Sequence, residues 1–105
     1  MQPAERFEVL VGTFLAEPDV TPPTLGAAFG SNGLRVRGRI FAMLTNDRLV
    51  VKLPRRRVDD LVAAGEGERF DPRRDGRVMK EWLSLSPTSR QDWTALAREA
   101  LDFVR

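Results

Sequence analysis

"GLRVRGRIFAMLTNDRLVVKLP", residues 33–54, sets two turn-forming pairs, Arg37-Gly38 and Asn46-Asp47, between apolar runs. Glycine readily adopts the positive φ that two-residue hairpin turns need, and Asn and Asp tolerate it. A turn at Arg37-Gly38 opposes Val36 to Arg39 and Leu34 to Phe41. A turn at Asn46-Asp47 opposes Thr45 to Arg48, Met43 to Val50 and Phe41 to Lys52. The stretch therefore predicts an antiparallel meander with strands near 34–37, 40–45 and 48–53. Strict alternation puts Leu34, Val36, Phe41, Met43, Val50 and Lys52 on one face, and Arg35, Ile40, Ala42, Leu44, Leu49, Val51 and Leu53 on the other. Both faces are then substantially apolar.

Upstream, Phe7, Leu10, Val11 and Phe14 recur at helical spacing and predict a helix from about Pro3 to Ala16, with Pro18 beyond its end. "EPDVTPPT", residues 17–24, carries three prolines in eight residues and reads as an extended connector. Downstream, "PRRRVDDLVAAGEG" predicts a short helix with Val58, Leu61 and Val62 inward and Gly65 as its stop. "RFDPRRDGRVMKEWLSLS" predicts a second hairpin, with a brief strand around Phe70 and another from about Val78 to Leu85. Its alternation groups Met79, Leu83 and Leu85 against Val78 and Trp82. Ser89 and Asp92 form an S-x-x-D start signal for a last helix, whose inner face is Trp93, Leu96, Ala97, Ala100, Leu101 and Val104. The order α-β-β-β-α-β-β-α predicts an α+β fold in one domain over residues 1–105.

A chain of 105 residues, 42% hydrophobic and 30% charged, has ordinary globular composition. It has no apolar run long enough to cross a bilayer, and its N-terminus does not read as a secretory signal, so a cytoplasmic location and no membrane contact are expected. Cysteine and histidine are both absent, which excludes Cys–His and Ser–His–Asp chemistry and the usual structural zinc ligands. A non-enzymatic protein without metal or cofactor is expected. The net charge of +2 hides segregation: residues 35–57 sum to +7 and 73–80 to +3, against −3 for 1–34, −4 for 58–72 and −1 for 81–105.

"FGSNGLRVRGRIFAML", "DRLVVKLP", "LVAAGEGERFDP" and "GRVMKEWLSL", in that order and followed by a tryptophan-led helix, resemble the N-terminal domain of the TfoX/Sxy family, competence-regulator-like proteins related to the YjbR group. The resemblance implies a two-layer fold with helices on one face of a five-stranded antiparallel sheet, like that of type III secretion chaperones. It implies no catalytic residues. Longer members carry a second domain that this sequence does not reach, so competence regulation is not carried over. "FGSNG" departs from the commoner glycine-richer turn, and Arg37 stands where an acid is often found.

Three sets of residues are candidate sites. Helices on one side would leave Leu34, Val36, Phe41, Met43 and Val50 bare, a candidate protein interface that a homodimer or another protein would cover. Arg37, Arg39, Arg73, Arg74 and Arg77 at the hairpin tips, with Arg55, Arg56 and Arg57 in the first turn of a helix, are candidate anion or nucleic-acid contacts. Against that role, no aromatic is interleaved with them, and Arg55–Asp59 and Arg56–Asp60 are at pairing distance along a helix. Lys80 and Trp82 form a candidate recognition patch for a small ligand. The expected function is regulatory or accessory, through protein contacts, with nucleic-acid binding second and a small-ligand binder or enzyme with a pocket near Trp82 third.

Overall fold

The computed structural model describes residues 2–23, 33–71 and 75–105. In chain order the elements are α1 (Pro3–Phe14), β1 (Val20–Thr21), β2 (Gly33–Val36), β3 (Arg39–Thr45), β4 (Arg48–Lys52), α2 (Arg55–Ala63), β5 (Gly67–Phe70), β6 (Met79–Leu85) and α3 (Trp93–Val104). The strands form one antiparallel sheet in the order β1-β2-β3-β4-β6-β5. The fold is α+β as expected, but with six strands where five were expected. The additional strand is Val20–Thr21, which pairs Val20 with Val36 at the sheet edge. Prolines 22 and 23 follow it at once; lacking an N–H, they are tolerated beside an edge strand and stop it from lengthening.

Both predicted turns form. Arg37 and Gly38 have φ of 53° and 81°, and Asn46 and Asp47 have 51° and 62°, so both central residues are left-handed and match the twist of the flanking strands. Val36 faces Arg39, Met43 faces Val50 and Thr45 faces Arg48, as the turns require.

One expected pairing fails. Leu34 lies opposite Ala42 rather than Phe41, because the register shifts between Leu34 and Arg35 and leaves Phe41 as an extra residue in β3. Such a bulge places two successive side chains on nearly the same side and inverts the alternation beyond it. Phe41 and Ala42 both enter the helix-covered core, and Leu34 and Val36 join them. The single-face grouping of Leu34, Val36, Phe41, Met43 and Val50 is thereby corrected. The first three are buried under the helices, whereas Met43 and Val50 lie in a smaller cluster with Phe70, Ile40 and Trp82.

The main core takes side chains from all three helices: Phe7, Leu10 and Phe14 of α1, Val58 and Leu61 of α2, and Leu96, Ala97, Ala100 and Leu101 of α3. They meet Leu49, Val51 and Leu53 around β4 and Leu83 and Leu85 of β6. The smaller cluster on the opposite side contains no helical residue. Asp92, not Ser89, caps α3: its Oδ1 accepts from the Thr94 and Ala95 amides at 2.8 and 3.3 Å. Ser89 instead donates to Glu66 Oε2 at 2.6 Å, tying the start of β5 to the approach to α3.

Gly67 is required by close packing, since a Cβ there would sit 2.6 Å from the Ser84 carbonyl oxygen. Gly12, by contrast, has open space around it on exposed α1. Gly67→Ala is therefore expected to destabilise by more than about 1 kcal/mol, through strand displacement. Gly12→Ala should stabilise by roughly 0.5–1 kcal/mol. Leu96→Ala, at a fully packed position, should lose about 2–5 kcal/mol. Urea midpoints at constant m-value check all three, and equal effects at the two glycines would contradict the packing.

Candidate functional site

Pairing brings Trp82 of β6 opposite Lys52 of β4, and the Lys52 ammonium stands 5.8 Å from the indole centroid. Trp82 packs one side against the smaller cluster and remains partly exposed. Around it, Lys52, Val78, Met79, Lys80 and Glu81 complete a shallow cleft of about 410 Å³. Val78 and Met79, neighbours in this cleft, are 42% and 41% exposed. Lys80 and Trp82 are thus in one cleft, as the sequence grouped them, but the cation over the ring is Lys52.

The arginines divide. Arg37 pairs with Asp19 at 3.3 Å, an exposed contact across the β1 edge. Arg57 makes a bidentate pair with Glu99 of α3, its Nε and second guanidinium nitrogen donating at 3.0 and 3.2 Å. The expected Arg55–Asp59 and Arg56–Asp60 pairs do not form; Asp59 pairs instead with Arg69 of β5 at 2.6 Å. Arg39, Arg55, Arg56 and Arg77 are exposed and make no ion pair among the described residues. Arg73 and Arg74 lie outside the described residues.

Sheet register gathers those uncommitted groups. Val36 pairs with Arg39, Lys52 with Trp82 and Phe70 with Met79, so the β2–β3 turn, the end of β4 with the start of α2, and the start of β6 lie at one end of the sheet. The opposite end is internally neutralised. There Arg48 donates to the Leu85 and Ser84 carbonyls at 3.0 and 3.1 Å and pairs with Glu68 at 3.3 Å. A polar cleft of about 420 Å³ adjoins it, lined by Thr45, Asn46, Glu68, Asp71 and others. The sequence reading missed Arg48. Nothing local distinguishes it, and its partners lie 36 and 37 residues away.

A third cleft, about 470 Å³, lies between α1 and the connector, with Ala4, Phe7, Val11, Pro22, Pro23 and Leu44 on its walls. No helix is long and apolar enough to cross a membrane among the described residues.

The chain matches the TfoX N-terminal domain over residues 20–104. The chain belongs to that family. Helix α1, at residues 3–14, precedes the matched stretch. No curated protein and no solved structure matches the chain.

Arg48→Met removes donors from two strand carbonyls and a partner from Glu68, and is expected to cost about 1–3 kcal/mol. Arg57→Met breaks a pair whose members are 39% and 42% exposed, and should cost under about 1 kcal/mol. Denaturant unfolding of the two variants tests the difference, and a larger loss at Arg57 would contradict it.

Proposed function

We propose that this chain is a regulatory or accessory module that acts by macromolecular contact, and that the contact is made on the helix-free face of the sheet, at Trp82. Membership of the TfoX N-terminal domain family supports the regulatory or accessory role. One observation carries the choice of surface: Val78 and Met79 stand exposed in one cleft with a partly exposed indole, and the indole and Met79's strand partner Phe70 belong to the cluster without helical residues. Tryptophan and methionine are among the residue types enriched at recognition surfaces.

The expectation of protein contact draws on the apolar pair, which a partner's side chain would cover. Self-association through Leu34, Val36, Phe41, Met43 and Val50 loses its premise, because all five are buried within one chain. Phe41→Glu is therefore expected to unfold the protein rather than to dissociate a dimer.

A photo-crosslinking residue at position 79, introduced in the native cell, is expected to capture a macromolecule. The same residue at position 9, on the outward side of α1 where Val9 is 59% exposed, should capture nothing specific. Equal labelling from both positions would remove this surface as the contact.

A further inference from the structure

We infer that the Trp82 end of the sheet is a binding surface for single-stranded nucleic acid. This rests on the contact surface proposed above and names its partner. Among the described residues, the cations with neither an ion pair nor a ring contact include Arg39, Arg55, Arg56, Arg77 and Lys80, all exposed and all at this end of the sheet. Arg90, in the segment before α3, is the exception. Of the carboxylates nearby, Asp19 is paired with Arg37, while Asp75 accepts from the Arg77 amide at 3.0 Å and keeps its charge. Asp60 and Glu81 are exposed and make no ion pair among the described residues.

The cations form a row and not a pocket. They are spread from Arg39 at the start of β3, through Arg55 and Arg56 in the first turn of α2, to Arg77 and Lys80 around the start of β6. A lone carboxylate or phosphate would engage one or two of them, whereas a chain of phosphates engages the series. Arginine predominates, and its planar fork suits phosphate oxygens.

The indole decides between nucleic-acid forms. Strand pairing sets the ring in one cleft with Lys52 and Lys80, at the same end of the sheet as the exposed arginines. An aromatic face next to cations that track a backbone is the arrangement that binds unpaired bases. A duplex keeps its bases stacked and leaves the ring without a partner. An acidic protein segment has charge for the row but no flat π-face for the indole.

The test is a fluorescence titration with short oligothymidylate, using a Trp93→Phe background in which Trp82 is the remaining tryptophan. Binding should quench Trp82, and the log of affinity should fall with the log of salt by about 0.7 per phosphate engaged. Trp82→Leu, followed by anisotropy of a labelled strand, should weaken binding by about tenfold or more. Arg55→Glu with Arg56→Glu and, separately, Lys80→Glu should each weaken it and flatten the salt slope. These changes are on exposed side chains, so circular dichroism should show an unchanged fold. Tighter binding to duplex of the same length, equal binding to polyglutamate, or no effect of the charge reversals would overturn the inference. A protein captured from position 79, together with failure to bind the oligonucleotide, would leave the contact surface standing and reject this partner.

Discussion

The edge-to-face contact between Phe14 of α1 and Phe41 of β3, with centroids 5.8 Å apart and planes at 69°, depends on a single inserted residue. Without the bulge, Phe41 would point to the same side as Met43 and Val50, away from every helix. Leu34 and Val36 would follow it, and α1 would face the arginine and isoleucine of the meander instead. The inserted residue gives the helix-covered side Leu34, Val36, Phe41 and Ala42, and sends Ile40 to the other side. There Ile40 lies over Gly33, where a Cβ would come within 2.8 Å of its side chain. Phe14 is in turn fully buried, which anchors α1 to the sheet.

Around that anchor, cations close the seam between α1 and α3. The Arg6 guanidinium sits 4.0 Å from the Trp93 ring and that of Arg98 sits 4.7 Å from Phe14. Glu17 then accepts pairing from both Arg98 and Arg105 at 3.4 and 3.3 Å. Exposed ion pairs contribute under about 1 kcal/mol each. The stem of Arg98 lying over an otherwise buried ring adds packing as well as charge. Helix α1 is thus integral to this protein's core although it precedes the stretch that matches the family.

Most of the architecture was legible because it rests on local signals. Turn pairs with left-handed backbone fix the meander, proline and glycine bound α2, and helical periodicity finds α1 and α3 with correct inward residues. What failed depended on non-local information. A bulge leaves no mark in "RIFAML", since Phe41 and Ala42 are acceptable on either side of a half-buried strand. The two-residue β1 forms only because Val36 is there to receive it. Asp59 has an arginine one helical turn behind it and another on β5, and geometry that the sequence does not show selects the second. The candidate site was legible as residues but not as a constellation: Lys80 and Trp82 were grouped, whereas Lys52 joins them through strand pairing.

That pairing also explains how a chain with a net charge of only +2 acquires a strongly basic end. In an antiparallel sheet the chain reverses at every connection, so alternate connections fall at the same end. The turn at Arg37-Gly38, the passage from β4 into α2 and the entry to β6 are such alternates, and they carry Arg37 and Arg39, Arg55 to Arg57, and Arg77 with Lys80. The acidic segment between them, −4 over residues 58–72, is drawn into the body of α2 and into β5, where Asp59 meets Arg69 and Glu68 meets Arg48. Charge that alternates in blocks along the sequence is thereby sorted into an axis along the strands. At one end Arg48 is neutralised by internal partners, and at the other Arg39, Arg55, Arg56, Arg77 and Lys80 stay in solvent at the end that holds Trp82.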